Sequence, residues 1–281
     1  MKNRFSGVST AEISQLIDRI EYKAPANIFR QMFSLLDLTS LNVTDNESTI
    51  RHICGKLNNF PYEFPDLPDV AAICVFPRFV PLVKEILKVE QINIAAVAAS
   101  FPTSQTFIEN KIDECKRAID AGAEELDIVI SLGEFLDGNY DLVASEIKSI
   151  KDLMGCRHLK VILESGIIEK PELVYEASML AMNAGADFIK TSSGKAHTSA
   201  TKEAAWVMCA AIKDYHGQTG REVGFKPAGG IGTASEAEQY YSIVDGVLGK
   251  QWLAPGLFRI GASRLANDLL AKIEGRKLDY F

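Results

Sequence analysis

Residues 184–195, AGADFIKTSSGK, read as a helix end, a short buried strand and a loop of small polar residues. Ala184-Gly185 closes a helix, because glycine takes the left-handed turn at little cost. Asp187, Phe188 and Ile189 then run into Lys190 with no turn residue between. Burying an unpaired ammonium is expensive, so a lysine at the end of an apolar strand either snorkels to the surface or has partners. The residues that follow favour a site. Thr191, Ser192, Ser193, Gly194 and Lys195 supply hydroxyls, a glycine backbone and a second amine, the materials of an anion-binding loop.

Residues 222–230, EVGFKPAGG, repeat the pattern of short strand, lysine (Lys226) and glycine-rich turn. The two lysines lie 36 residues apart, the length of one helix, two loops and one strand. Parallel neighbouring strands bring both lysines out at the same end of a sheet. Adjacent ammonium groups disfavour each other's charge, so the more buried one becomes a nucleophilic amine suited to Schiff-base chemistry on a carbonyl.

With 281 residues, 47% of them hydrophobic, the chain can bury a large core, as two domains or as one α/β barrel. It has no apolar run of about 18 residues, so no membrane span is expected. Residues 1–23 lack an apolar h-region and carry Glu12, Asp18, Arg19 and Glu21, which argues against a signal peptide. Five cysteines, odd in number and without a CxxC pair, fit the reduced thiols of a cytoplasmic enzyme. The four histidines show no ligand spacing, so neither metal nor other cofactor is expected. A net charge of −7 without a basic stripe argues against a nucleic-acid partner. Positive groups focused in one cleft can still hold a phosphate.

Along the chain, Ile13, Leu16, Ile17 and Ile20 make one helical face after Ser9 or Thr10, and a short helix leads to Met32. Eight strands follow. Residues 33–39 form the first, with Asp37 and Thr39 at its C-terminal rim; Asp37 reads equally as a helix cap. The others are 70–75 (with Cys74), 92–98, 124–130 (with Asp127), 158–164, 187–190, 222–226 and 257–260. Helical patterns separate them, and proline-rich 61–68 reads as a loop. A weak echo, A-x-x-A-G-A before a strand, occurs at 118–123 and 181–186, an offset of two strand–helix units. Eight alternations, with no GxGxxG after the first strand, predict a single-domain (β/α)8 TIM barrel. Residues 1–31 form an extra N-terminal helical segment and 274–281 a flexible tail. Asp37, Cys74, Asp127, Lys190 and Lys226 then share the end where barrels carry their chemistry. Asp127 is an acid in an otherwise apolar strand, where a carboxylate needs a reason.

The blocks LDLTSL (36–41), AICV (72–75), ELDIV (125–129), FIKTSSGK (188–195), GFKPAGG (224–230) and RIGAS (259–263) together resemble the deoxyribose-phosphate aldolase family over about residues 33–265. The resemblance implies a metal-free class I aldolase of deoxyribonucleotide catabolism. Such an enzyme cleaves 2-deoxy-D-ribose 5-phosphate reversibly to acetaldehyde and glyceraldehyde 3-phosphate. It implies Lys190 as the Schiff-base lysine, Lys226 as the ammonium that lowers its pKa, and Asp127 as the proton shuttle. Asp37 and Thr39 would line the substrate-hydroxyl region and Cys74 the acetaldehyde side. The phosphate would rest among Thr191, Gly194, Lys195, Gly229, Gly230, Gly261 and Ser263.

Three positions depart from the family pattern. Gly232 stands where a basic residue is usual, and Arg264 where a small hydroxyl residue is usual. The positive charge is expected to have moved across the pocket, with Arg264 forking onto the phosphate; the alternative is an Arg264 pointing outward along its helix. Members can end in a mobile tyrosine that assists proton transfer; here Tyr280, followed by Phe281, is the expected proton shuttle reaching the site from the loose tail. Two other readings stay open: an aldolase for a different aldehyde pair, and a non-catalytic barrel that binds sugar phosphates. Outer helices of a barrel can pair two copies into a homodimer, though nothing in the sequence selects them.

Overall fold

In a computed structural model, which describes residues 3–281, short strands alternate with helices and each strand pairs in parallel with the next. The strands are β1 (Leu36–Thr39), β2 (Ala72–Val75), β3 (Asn93–Ala98), β4 (Glu125–Val129), β5 (His158–Ile162), β6 (Phe188–Lys190), β7 (Gly224–Lys226) and β8 (Ile260–Ala262). The sheet runs from β7 down to β1 in sequence order and then to β8. It closes where the Phe225 amide donates to the Leu257 carbonyl (2.9 Å) and the Arg259 amide to the Phe225 carbonyl (3.1 Å). This is the expected (β/α)8 barrel. The first two residues of the N-terminal segment lie outside the described part.

Side-chain alternation along the strands builds two unlike cores. Ile73, Val75, Ile94, Ala96, Leu126, Ile128, Leu159, Val161, Ile189 and Phe225 face outward into a continuous apolar layer beneath the helices. Each large aliphatic or aromatic side chain there contributes about 1.5–3 kcal/mol by leaving water. Of the opposite parity, Ala72, Cys74, Ala95 and Val97 form a separate small apolar cluster with Leu41 inside the barrel. The rest of the interior is mostly charged, with the buried Phe188 ring beneath Arg259.

Several boundaries differ from expectation. The helix Ile28–Ser34 displaces the start of strand one to Leu36. The helix Glu47–Glu63 continues through Pro61, whose missing N–H is offset by burial of Leu57 and Phe60 on the same element. Strand five stops at Ile162; Glu164 takes a left-handed conformation and a short helix, Ser165–Ile168, follows. Strand eight is set two to three residues later than its apolar run, because residues 257–259 only bridge to β7.

The N-terminal helix Thr10–Ile17 carries a Ser9–Glu12 capping box and lies outside the barrel, where Ser14 donates to Glu203 (2.7 Å). The tail, expected to be loose, is seated. Asn267 accepts from the Tyr280 and Phe281 amides (2.9 Å each), and both rings pack with Phe60.

Candidate active site

The charged half of the interior is assembled from the inward parity of five strands and from Arg259 just before β8. Lys190 and Lys226 are register partners across β6 and β7. Both reach one oxygen of Asp127: Lys190 Nζ lies 2.8 Å and Lys226 Nζ 2.7 Å from Oδ2. Lys226 also donates to Asp37 Oδ2, and Lys160 from β5 donates to Glu125 and to Asp127 Oδ1 (3.1 Å). Arg259 completes the set, with Nη1 2.6 Å from Asp37 and Nη2 2.8 Å from Glu125. All seven side chains are buried. A buried ion removed from water loses several kcal/mol of hydration, so the carboxylates persist only because every one has cationic donors.

Burial favours the neutral form of every member, and the partners decide whether it wins. At Asp127, the ammonium groups of Lys160, Lys190 and Lys226 overcome burial and hold the carboxyl well below the usual range. Lys226 is driven the other way from what burial alone would do: Asp127 and Asp37 raise it. Lys190 is lowered, first by burial and then by the charge of Lys226, against the pull of Asp127. The expected role of Lys226 in depressing Lys190 is thus secondary to desolvation. The Cys74 thiol, fully buried beside this network, is pushed up to about 11 by burial and by Asp127.

Lys190 opens onto a cavity of about 190 Å³ at the C-terminal ends of the strands. Thr39, Ser193, Gly194, Lys195, Gly229, Gly230, Gly261, Ser263 and Arg264 from the sequence reading line it, joined by Leu41 and Asn42, which that reading omitted. Gly229 has φ +86°, and a Cβ there would come within 2.6 Å of Ser199 Oγ. A Cβ on Gly261 would stand 3.0 Å from Lys226 Cε, so the glycine makes room for that lysine. The Arg264 guanidinium borders the cavity and lies over Gly232: a Cβ built there would be 3.8 Å from Nη2.

Four expected contacts fall elsewhere. Asp37 is below the cavity, with both oxygens engaged by Lys226 and Arg259. Thr191 donates to the Ala228 carbonyl (3.2 Å) and accepts from the Ala228 amide (3.0 Å), tying the two lysine loops together. Cys74 packs within the small apolar cluster and does not line the cavity. Tyr280 sits in the outer shell, donating to the Lys56 carbonyl (3.0 Å) and Glu63 (3.1 Å), because Phe60, Phe64 and Phe281 enclose its ring.

The sequence reading missed Glu125, Lys160, Glu164 and Arg259. Glu125 and Lys160 had a usable signal, the inward parity they share with Asp127 in apolar strands. Glu164 accepts from the Ser193 amide (3.1 Å) and so shapes the loop after β6. Among the described residues, no group of three or more His, Cys, Asp or Glu is arranged to hold a metal ion, and no helix is long and apolar enough to cross a membrane.

A model of the DeoC/LacD family of aldolases matches residues 33–256. The chain belongs to this family. It is 40% identical over 255 residues to the deoxyribose-phosphate aldolase of Homo sapiens, covering 85% of this chain and 79% of that one. To the mouse (Mus musculus) deoxyribose-phosphate aldolase it is 39% identical over 251 residues, with the same coverage. Among solved structures it superposes on QR15, an aldolase, with a TM-score of 0.72 and 27% identity, covering 86% of this chain and 97% of that one. The tetrameric deoxyribose phosphate aldolase of Aeropyrum pernix shares the fold, with a TM-score of 0.66 at 20% identity over 93% of this chain and 96% of that one.

Proposed function

We propose that this member of the family is a class I lyase that cleaves 2-deoxy-D-ribose 5-phosphate to acetaldehyde and glyceraldehyde 3-phosphate. The observation that carries the reading is the Lys190 amine, buried, lowered in pKa and opening onto a cavity with cationic and glycine-rich walls. The relatives named above act in this way by name.

In the proposed sequence, the uncharged Lys190 amine adds to the C1 aldehyde of the open-chain sugar. The carbinolamine loses water to give a protonated imine. That imine draws the electron pair of the C2–C3 bond, leaving an enamine on Lys190 as the C3 hydroxyl gives up its proton and becomes an aldehyde. Protonation of the enamine and hydrolysis release acetaldehyde and restore the amine. Asp127 carries the protons, since its Oδ2 touches both Lys190 and Lys226; such transfer supplies roughly 10²–10⁴ in rate. Lys195, Arg264 and the amides of Gly229, Gly230 and Ser263 are the groups proposed to receive the phosphate. Thr39 remains the candidate for a sugar hydroxyl, and a homodimer remains a proposal for the assembly.

The deciding experiment is cyanoborohydride reduction in the presence of acetaldehyde. The expected product is N-ethyl-lysine at position 190; modification of other lysines only would defeat the reading. An aldolase for another aldehyde pair is favoured by the exchange of charge between positions 232 and 264. It predicts equal kcat/KM for phosphorylated and free deoxyribose, whereas the proposal predicts a strong preference for the phosphate ester.

A further inference from the structure

We propose that Arg259 and Lys160 act as positioning residues that keep the Lys190 amine uncharged by engaging the buried carboxylates Asp37, Glu125 and Asp127 from below, with Glu125 setting the balance of charge against them. The inference rests on the reading of Lys190 as the nucleophile.

Asp37 faces inward from β1, Glu125 and Asp127 from β4, Lys160 from β5, Lys190 from β6 and Lys226 from β7, with Arg259 just before β8. The facing residue of β2 is the Cys74 thiol, and β3 presents Ala95 and Val97. Around this set, His158 Nδ1 lies 3.6 Å from Glu125 at the solvent edge, Glu164 binds the Ser193 amide, and Lys195 and Arg264 border the cavity. Four cations therefore share three buried carboxylates, a surplus of one positive charge.

The surplus falls where it is least opposed. Lys160 stands within ion-pair distance of all three carboxylates, and Lys226 and Arg259 of two each. Lys190 has one carboxylate oxygen, shared with Lys226, and it alone of the four lines the cavity. Arg259 cannot shed a proton, so its claim on Asp37 and Glu125 is permanent. The directions of titration agree: burial lowers all four, but the carboxylates overcome it at Lys160, Lys226 and Arg259, which are raised, and not at Lys190, which is lowered.

The test is the acid limb of kcat/KM, whose midpoint follows Lys190 because the amine must be deprotonated to add to an aldehyde. A unit charge within about 10 Å, at an effective dielectric constant of about 20, moves a neighbour by about one pH unit. Arg259→Met leaves three cations for three carboxylates, so the limb moves up by about one unit. Glu125→Gln leaves four cations for two carboxylates, so it moves down by a similar amount. The double variant restores the surplus of one and returns the limb towards wild type, and Arg259→Lys leaves it in place. Arg259→Met and Glu125→Gln shifting the limb in the same direction, or either one folding without a shift, overturns the proposal. Should Arg259→Met fail to fold, the Glu125→Gln sign decides alone: an upward or absent shift overturns it. Wild-type protein that forms no N-ethyl-lysine at position 190 defeats the underlying reading instead.

Discussion

Lys190 and Lys226 occupy the same rung of adjacent strands, share one oxygen of Asp127 and are both buried, yet they titrate in opposite directions. The difference is what lies on the far side of each. Beyond Lys226 is Asp37, itself braced by Arg259; beyond Lys190 is the cavity. Identical residues at equivalent ends of neighbouring strands thus become a structural cation and the proposed nucleophile. The strand sequence, FIK against GFK, does not distinguish them.

The largest expected effect tests that division directly. Lys190→Met should lower kcat by roughly 10⁴-fold or more, because no other amine takes over the covalent step. Its stability should change by about 1 kcal/mol or less, since Asp127 keeps Lys160 and Lys226. Lys226→Met should instead cost about 3–5 kcal/mol in denaturant unfolding, because Asp37 and Asp127 lose a buried partner. A Lys190 variant less stable than the Lys226 variant would break the comparison.

A smaller effect sharpens it on the cavity side. Arg264→Ala should raise KM for the phosphorylated sugar by roughly 10–100-fold, the worth of a charge-assisted hydrogen bond, and leave free deoxyribose unaffected. An unchanged KM would remove Arg264 from the site. The smallest effect asks whether the two lysines and Asp127 suffice for proton transfer. Tyr280→Phe should leave kcat and the exchange of the acetaldehyde methyl protons unchanged. It should lower Tm by about 2–4 °C through the lost bonds to Lys56 and Glu63. Loss of exchange would bring Tyr280 into the chemistry after all.

Much of this was legible along the chain. Strand-end lysines, an acid inside an apolar strand and glycine-rich turns are local features, and their spacing in whole strand–helix units places them at one end of a barrel. Lys160 and Glu125 were open to the same parity argument, but their charge is ordinary at the start of a strand until its neighbours are known. Arg259 lay in a run read as strand, where nothing local tells a buried guanidinium from a surface one. Tyr280 was misplaced because a terminal tyrosine carries no local signal of what it packs against.

The sequence by itself determined the barrel, the rung shared by the two lysines and the polar loops above them, because periodicity and turn chemistry act over a few residues. Only the tertiary structure decided which lysine is raised in pKa and which lowered, that Asp37 is taken up by Lys226 and Arg259, and that the tail is seated. Those outcomes depend on burial and on opposite charges brought together from strands up to 222 residues apart, as between Asp37 and Arg259. In a low-dielectric interior such pairings set protonation more strongly than anything in the local sequence.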